Sequence, residues 1–441
     1  MAHSGKYFIE TYGCQMNEHD SEKMCELLER LGLQVDASPE QADVVVINTC
    51  AIREKAEHKV YSSLGTLRNM KRDKPEMIVV VAGCVAQQQK AKLLTKFHHL
   101  DLVLGAHHIS ELPELIEHIG KTRERISRVE FCNDVSSLHM LAPARGSSPV
   151  CSYVTVMQGC SNFCAYCVVP FTRGKEQSRD SLEIIEEVSE LAGRGIKEIT
   201  LLGQNVNAYG KDLENGRRFS QLLEKLSLVQ GIERIRFTTS HPKDFDSSLA
   251  EAIAGLEKVC EHVHLPLQSG SDKVLEAMGR GYKFSDYLDK IQLLRIRAPE
   301  CAITADMIVG FPGESDDDFE ATVKALHRVR FDQIFSFKFS PRPGTLAEHM
   351  TDQVPEEIKK ARLAKVHEIQ DEITQTYHRQ LEGSVVEALI EGHGRLQGQF
   401  FGRTRTNKIV NFSDDGHHAV GDIVKVTILR GLKHSLLGEI V

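Results

Sequence analysis

A chain of 441 residues is too long for one ordinary hydrophobic core and is expected to form about two to four domains. Its 41% apolar and 26% charged residues are typical of a globular protein, and no apolar run approaches the roughly 20 residues that a membrane span needs, so no membrane association is expected. A net charge of −8 excludes a strongly basic nucleic-acid binder, although local basic patches decide such binding.

Residues 6–120 alternate between strand and helix patterns. Short apolar runs at 7–9, 44–47 and 77–81 are typical of strands that are buried on both faces of a sheet. Helical patterns follow at about 18–31, 51–70 and 87–97. This rhythm predicts an α/β domain over residues 1–120, built on a doubly wound parallel sheet.

A cysteine follows each of these three strands: Cys14, Cys50 and Cys84. Ligand sites of doubly wound sheets lie beyond the carboxyl ends of the strands, and Gly13 and Gly83 allow the backbone to approach closely there. Any one of these cysteines could be a small buried hydrophobic residue. Their shared placement at strand ends favours a set of metal ligands.

The sequence holds eleven cysteines in all. Its N-terminus has no apolar signal region, so the protein is expected in the cytoplasm, where thiols stay reduced. Metal or redox chemistry is therefore favoured over a disulfide framework. Five cysteines show no shared spacing and are interpreted as packing residues: Cys25, Cys132, Cys151, Cys260 and Cys301.

Two further domains are predicted after a linker at residues 121–150, whose composition cannot bury a core. Over residues 151–380 the alternation resumes, and candidate strands lie at 152–158, 198–203, 234–240, 262–267, 302–310 and 333–340. Six βα units predict a partial (βα)6 barrel with its site at the carboxyl ends of the strands. Residues 381–441 have short β-prone runs between Gly and Asp turns, which predicts a small all-β barrel of OB-like type.

The strongest chemical signal is a loop with the spacing Cys-x3-Cys-x2-Cys, formed by Cys160, Cys164 and Cys167 directly after a predicted strand. Three thiolates on one short loop can bind three irons of a four-iron cluster and leave the fourth iron open. The alternatives are a zinc site with a distant fourth ligand and three incidental core cysteines. Structural zinc sites favour paired Cys-x2-Cys units, and three cysteines within eight residues are improbable by composition. The spacing indicates an iron–sulfur cluster.

This loop resembles that of radical S-adenosylmethionine enzymes. The resemblance implies that the open iron binds S-adenosylmethionine, which reductive cleavage converts to methionine and a 5′-deoxyadenosyl radical. It also implies cofactor contacts at the ends of the second, fifth and sixth barrel strands. The matching positions are Gly203, Gln204, Asn205, Asp306, Gly310 and Ser340.

The resemblance narrows to the methylthiotransferase family of these enzymes and covers nearly the whole chain. The runs at 12–17, which contains Cys14, and at 48–50, which ends in Cys50, match motifs of the family closely. The family has an N-terminal cluster domain, a radical barrel and a C-terminal TRAM domain. The resemblance therefore implies a second four-iron cluster on Cys14, Cys50 and Cys84.

Branches of the family act on isopentenylated adenosine in tRNA, on threonylcarbamoylated adenosine in tRNA, or on an aspartate of a ribosomal protein. The runs at 204–210, 240–245 and 268–271 most resemble the first branch. The resemblance implies that one S-adenosylmethionine methylates a sulfur at the second cluster and that another is cleaved at the first. The radical then removes the C2 hydrogen of the adenine, which lies next to the anticodon, and the methylthio group is attached to that carbon. No protein nucleophile is required, so no catalytic side chain is predicted.

The expected partners are tRNA and an electron donor such as flavodoxin or ferredoxin, and a monomer is expected. Candidate RNA contacts are Arg53 and Lys55 after Cys50, and three cations in the aromatic and basic run at 400–408: Arg403, Arg405 and Lys408. Acidic residues match the tail's cations, so that run could equally be a solvated loop. An iron–sulfur electron carrier and an RNA-binding module with structural metal remain as rival hypotheses.

Overall fold

The structure is a computed structural model that describes residues 5–51, 54–132, 148–214, 216, 218–413 and 416–441, with the backbone alone for 54–58. It contains three folded parts in the order that the sequence predicts. Among the helices of these residues, none combines the length and apolar character that crossing a bilayer requires.

The N-terminal part is a parallel six-stranded sheet of order β2-β1-β3-β4-β5-β6. Its strands are β1 (Lys6–Tyr12), β2 (Gln34–Val35), β3 (Val44–Thr49), β4 (Ile78–Gly83), β5 (Leu102–Leu104) and β6 (Ile126–Arg128). Its helices are α1 (Gln15–Arg30), α2 (Glu54–Asp73), α3 (Cys84–Gln89), α4 (Lys92–Lys96) and α5 (Leu112–Thr122). Alternate residues of β3 belong to two different cores, Val44 to one and Val45 to the other, so the sheet is covered on both faces as predicted.

Two details differ from the expectation for this part. The helix expected at 87–97 is two short helices, because Lys90 adopts a positive φ of 51° between α3 and α4. The linker predicted at 121–150 starts too early, because α5 runs to Thr122 and β6 pairs with β5 inside it. Residues 133–147 of that predicted linker lie outside the described residues.

The central part is a partial barrel of six parallel strands. Its strands are β7 (Cys151–Thr155), β10 (Glu198–Leu202), β11 (Arg234–Phe237), β12 (His262–His264), β13 (Ala302–Val309) and β14 (Gln333–Lys338), and β8 (Met157–Gln158) and β9 (Gln177–Ser178) form a small ribbon beside them. The order is β7-β10-β11, then β12-β13-β14, and a bridge between Ile235 and Val259 joins the two halves. The predicted (βα)6 architecture is therefore present.

Helices cover the outer face of this barrel. They are α7 (Ser181–Gly193), α8 (Phe219–Ser227), α9 (Ser247–Gly255), α11 (Phe284–Arg297), α12 (Asp316–Val329) and α13 (Glu356–Gln380). Two short helices lie elsewhere: α6 (Val169–Thr172), which packs against α3, and α10 (Asp272–Ala277). The large apolar core lies between strands and helices, with Ile199, Val263 and Ile334 among its members. The neighbouring residues in each strand therefore face the opposite way, toward the inside of the barrel.

The C-terminal part is a closed five-stranded barrel of order β15-β16-β17-β19-β18, as predicted for an OB-like fold. Its strands are β15 (Val385–His393), β16 (Gln399–Thr404), β17 (Ile409–Ser413), β18 (Ile423–Gly431) and β19 (Leu436–Ile440). Phe400 and Phe412 fill its core. Phe400 therefore belongs to a strand and its side chain is buried, which excludes it from the exposed aromatic and basic loop that the sequence suggested.

Candidate functional site

The three cysteines after the N-terminal strands converge at one edge of the sheet. Cys14 is the N-cap of α1 after β1, Cys50 follows β3, and Cys84 begins α3 after β4. Since β1, β3 and β4 are neighbours in the sheet, their carboxyl ends lie side by side. All three cysteines are reduced, and the thiols of Cys14 and Cys84 both hydrogen-bond with that of Cys50.

Two glycines make room for this approach. A Cβ on Gly13 would lie 2.8 Å from the Cβ of Cys50. Gly83 has a φ of 87°, and a Cβ there would lie 2.4 Å from Asn48 Oδ1 and 2.7 Å from the Thr49 carbonyl oxygen. Both glycines are therefore required by the packing of the strand ends, as the sequence predicted.

Two buried asparagines form a hydrogen-bond network next to Cys14. Cys14 Sγ donates to Asn17 Oδ1 at 3.4 Å, and Asn17 Nδ2 donates to Asn48 Oδ1 at 3.2 Å. Asn48 Nδ2 in turn donates to the Asn17 carbonyl oxygen at 2.8 Å and to Ser21 Oγ at 2.9 Å. Because neither asparagine side chain is exposed, this network fixes the start of α1 against the end of β3.

The pKa values of two thiols of this triad, Cys14 and Cys84, are lowered. A hydrogen bond with Cys50 lowers the pKa of Cys14 to about 7. For Cys84, the hydrogen bond with Cys50 and the charge of Arg173 lower the pKa to about 5. The hydrogen bond with Cys14 raises the pKa of Cys50 well above its usual value. Two of the three converging thiols therefore favour the thiolate form, which is the soft donor that iron–sulfur clusters use.

The Cys-x3-Cys-x2-Cys loop follows β8 at the mouth of the barrel. Cys160 and Cys164 are buried and Cys167 is half-buried. Burial raises the pKa of Cys160, and it raises that of Cys167 to about 12. A guanidinium N–H of Arg280 donates to Cys164 Sγ at 3.5 Å. The thiols of Cys160 and Cys167 therefore stay neutral until a metal ion replaces their protons, and three cysteine sulfurs on one loop also fit an iron–sulfur cluster.

The predicted cofactor positions after β10 lie against this loop. Gln204 Oε1 accepts a hydrogen bond from the Gly159 amide at 2.5 Å, next to Cys160. Gly203 is packed so closely that a Cβ would lie 2.6 Å from Met157 Cγ. Asn205 Nδ2 donates to Asp244 Oδ2 at 2.7 Å, and its Oδ1 is buried without a partner among the described residues. The structure brings these three residues to the barrel mouth.

The predicted cofactor positions after β13 and β14 differ from one another in their surroundings. Asp306, on β13, faces the barrel interior, where its Oδ2 lies 3.5 Å from His264 Nε2. Gly310 follows β13 with a φ of 71°, and a Cβ there would lie 2.4 Å from Lys359 Cγ. The backbone conformation and the close packing against Lys359 therefore explain a glycine at position 310 without any contact to a cofactor. Ser340 is half-buried just after β14.

The three predicted RNA contacts in the tail are engaged inside the chain. Arg405 pairs with both carboxylate oxygens of Glu261, at 2.7 and 2.8 Å. Arg403 pairs with Glu391 at 2.6 Å, and Lys408 pairs with Asp332 at 2.6 Å. Contact of these cations with RNA stays a prediction, and the structure gives each of them another role.

The turn at residues 404–408 closes the amino-terminal end of the central barrel. Arg236 donates to the carbonyl oxygens of Thr404 and Arg405, and Arg234 donates to that of Arg403, at distances of 2.7 and 2.8 Å. These two arginines lie on β11 and also pair with Glu198. The other predicted RNA contacts are not seen: Arg53 lies outside the described residues, and the side chain of Lys55 is not described.

Sequence reasoning missed two groups of residues at the site. Arg173 joins the two cysteine triads, and no motif spacing could reveal its partner 89 positions away. Phe335 and Phe337 are 46% and 39% exposed on the inner face of β14. Their alternation with buried Ile334 was the available signal, since exposed aromatic side chains at every second residue of a strand point to a binding surface.

Comparisons with known proteins agree with this division of the chain. Residues 6–105 match the uncharacterized protein family UPF0004, residues 154–326 match the radical SAM superfamily, and residues 379–441 match the TRAM domain. A tRNA-2-methylthio-N(6)-dimethylallyladenosine synthase from Natranaerobius thermophilus is 45% identical over 438 residues, which are 99% of this chain and 96% of the relative. A synthase of the same name from Geotalea uraniireducens is 47% identical over 433 residues, 98% of each chain.

The chain belongs to this family of tRNA methylthiotransferases. The methylthiotransferase is a radical S-adenosylmethionine enzyme with a C-terminal TRAM domain. Membership of that superfamily implies a four-iron cluster and S-adenosylmethionine, and the TRAM domain with the relatives' names implies tRNA as the substrate.

Two solved structures of low sequence identity support the fold of the methylthiotransferase, but not its activity. The radical S-adenosylmethionine methyltransferase TsrM from Kitasatospora setae matches with a TM-score of 0.58 at 17% identity, over 78% of this chain and 77% of that one. The cobalamin-dependent S-adenosylmethionine radical enzyme OxsB matches with a TM-score of 0.54 at 12% identity, over 84% of this chain and 56% of that one.

Proposed function

We propose that this chain attaches a methylthio group to C2 of N6-isopentenyladenosine next to the anticodon of tRNA, using two S-adenosylmethionine molecules and two four-iron clusters. The observation that carries the proposal is the meeting of two separate cysteine triads at one interface, linked by Arg173. The names of the full-length relatives support the choice of base.

The first cluster would be held by Cys160, Cys164 and Cys167, and the second by Cys14, Cys50 and Cys84. When bound, the clusters supply one-electron reduction of S-adenosylmethionine and a carrier for sulfur. Such cofactor chemistry is needed because the C2–H of adenine is neither acidic nor hydridic, so that proton transfer to a side chain cannot activate it.

The chain's own residues orient the first triad. Arg280 donates to Cys164 Sγ and to the Pro266 carbonyl oxygen at 3.0 Å, which ties the loop to the end of β12. Gln204 fixes the amide before Cys160. The buried Oδ1 of Asn205 lacks a partner among the described residues, and it supports a role in accepting a hydrogen bond from the bound S-adenosylmethionine.

The inner face of β13 and β14 offers a place for the adenine. Phe335 pairs in register with Asp306, and its ring contacts that of His264 with centroids 5.8 Å apart. An exposed aromatic ring suits a base that is turned out of an RNA loop, because the base can stack on the ring.

Two other branches of the family remain as alternatives for the substrate, threonylcarbamoyladenosine in tRNA and an aspartate of a ribosomal protein. An iron–sulfur electron carrier would need no barrel, and an RNA-binding module with structural metal would need no open iron. A flavodoxin or ferredoxin as electron donor, a cytoplasmic location and a monomeric state are further parts of the proposal.

The test uses anaerobically reconstituted protein with S-adenosylmethionine and a reductant. Three substrates are supplied separately: tRNA with isopentenyladenosine, tRNA with threonylcarbamoyladenosine, and small ribosomal subunits. Mass spectrometry of the digested products should show a methylthio group on isopentenyladenosine alone. About eight irons per chain are expected from two cubanes. A product in either other sample, or zinc in place of iron, contradicts the proposal.

A further inference from the structure

We propose that Arg173 is a positioning residue that sets the geometry and the reduction potential of the cluster on Cys14, Cys50 and Cys84, and that couples it to the loop of the first cluster. The inference rests on the proposed function, since it needs that second cluster.

Arg173 reaches across the interface between the two domains. It follows α6, just after the Cys-x3-Cys-x2-Cys loop, yet its Nε donates to Cys84 Sγ at 3.4 Å. One terminal nitrogen, Nη2, donates to Asp20 Oδ2 on α1 at 2.5 Å. Only 2% of Arg173 is exposed and 5% of Asp20, so the pair is desolvated. A buried ion pair of this kind holds its partners in one geometry.

The third nitrogen of the guanidinium points to a further acceptor. Arg173 Nη1 is buried and has no hydrogen-bond partner among the described residues. A buried N–H group without an acceptor costs about 1–3 kcal/mol, so such groups are rare unless a ligand satisfies them. The same guanidinium already contacts the thiol of Cys84. An inorganic sulfide of a cluster bound to the three thiols could accept the hydrogen bond from Nη1.

The backbone of the same segment touches the other triad. The Gly174 carbonyl oxygen accepts a hydrogen bond from the Cys160 amide at 3.1 Å. The Arg173 carbonyl oxygen lies 3.1 Å from Nε2 of His107, a buried residue of the N-terminal domain. Residues 173 and 174 therefore contact both cysteine triads, and a displacement of one cluster is transmitted to the other through one peptide unit.

A fixed positive charge changes the chemistry of a cluster in a predictable direction. Reduction adds negative charge, so a cation and a hydrogen-bond donor next to a ligand sulfur stabilise the reduced form and raise the reduction potential. Loss of the Arg173 side chain should therefore lower that potential while the cysteines remain available.

The experiment isolates the second cluster in a Cys160→Ala, Cys164→Ala, Cys167→Ala background. Reduction midpoint and electron paramagnetic resonance spectra are recorded for this background with Arg173, Arg173→Lys or Arg173→Met. Arg173→Met should make reduction about tenfold less favourable, which is a shift of about 59 mV toward negative potential for one electron. Arg173→Lys keeps the charge without the planar fork and should recover part of the shift.

Two controls separate this role from a general packing defect. Arg179→Lys changes an equally buried arginine that pairs with Glu187 at 2.6 Å, and it should leave the potential unchanged. Asp20→Asn keeps the charge of Arg173 but weakens its anchor, and it should alter the spectrum. If Arg173→Met binds iron with the potential and spectrum of the background, the inference is overturned and the proposed function stands. If the background itself binds no iron or sulfide, both are overturned.

Discussion

Gly83 is the residue at which the second triad depends most directly on backbone geometry. Its φ is 87°, and a Cβ added to it would lie 2.4 Å from Asn48 Oδ1, so there is no room for a side chain. We expect Gly83→Ala to lower the free energy of unfolding by about 1–3 kcal/mol, as for other strained positions, and to reduce iron binding. Urea denaturation and iron analysis measure both quantities.

The matched control is Gly65→Ala. Gly65 lies within α2 with no atom within 4 Å of an added Cβ, so this change should stabilise the helix by up to about 1 kcal/mol. Equal effects of the two substitutions would show that the end of β4 tolerates a side chain.

Phe335 tests the proposed place of the adenine. Stacking of a base on an aromatic ring contributes about 1–3 kcal/mol. Phe335→Ala is therefore expected to weaken binding of isopentenylated tRNA about 5- to 150-fold, whereas Phe335→Tyr should retain it. Filter binding measures the dissociation constants, with Leu228→Ala, which alters another exposed side chain, as the control. Unchanged affinity of Phe335→Ala would place the base elsewhere.

Among single residues, the sequence could predict the positions that follow a local pattern of apolar runs. Cys14, Cys50 and Cys84 follow apolar runs, and parallel strands bring such positions together, so their convergence could be predicted. The partnership of Arg173 with Cys84 and Asp20 could not, because it depends on how two domains dock. Arg403, Arg405 and Lys408 show the same limit, since the carboxylates that pair with Arg405 and Lys408 lie in another domain.

The turn at residues 404–408 is the element that fixes the C-terminal barrel to the central one. Arg405 bonds to Glu261 and to the carbonyl oxygens of Glu257 and Val259. We expect Arg405→Ala to lower the free energy of unfolding by about 1–3 kcal/mol through loss of charged hydrogen bonds. The salt dependence of tRNA binding should not change. Denaturation and salt-titrated binding assays distinguish the two effects.

The opposite result would restore the sequence-based prediction for this turn. If Arg405 contacts a phosphate, its removal should reduce the slope of log K against log salt by about 0.7–0.9 and leave stability unchanged. Arg430→Ala, an exposed arginine of the same small barrel, is the control and should alter stability by less than about 0.5 kcal/mol.

Elements with a strong hydrophobic period were predictable, and short edge elements were not. The strands predicted for the N-terminal sheet and for the central barrel lie within a few residues of their expected positions. Buried apolar runs such as 44–47 predict a strand without ambiguity. β6 was missed because its three residues, Ile126–Arg128, are half-buried or exposed and take their strand geometry from pairing with β5.

Across the whole molecule, buried histidines make stability depend on pH. Burial lowers the pKa of His262, which lies inside the central barrel, well below its usual value. Because the folded pKa lies below the unfolded value of about 6.5, the unfolded chain binds a proton that the folded chain does not. This contribution to stability is present above pH 6.5 and is lost as the pH falls below it.

We therefore expect the free energy of unfolding to fall from pH 7.5 to 5.5, and His262→Gln should make that fall shallower by up to about 1.4 kcal/mol per pH unit below 6.5. Urea denaturation at several pH values measures the slope. His349→Gln, at a position whose side chain is 80% exposed, should keep the slope of the unaltered protein. A steeper fall for His262→Gln would mean that this histidine is charged in the folded protein.

The division of labour between the two cysteine triads is tested most directly by comparing Cys50→Ala with Cys164→Ala after anaerobic reconstitution. Iron content, 5′-deoxyadenosine release and methylthiolated tRNA are measured on the same samples. Each variant should retain about four irons. Cys50→Ala should still release 5′-deoxyadenosine but give no methylthiolated tRNA, and Cys164→Ala should give neither product. Methylthiolated tRNA from Cys50→Ala would contradict the two-cluster account.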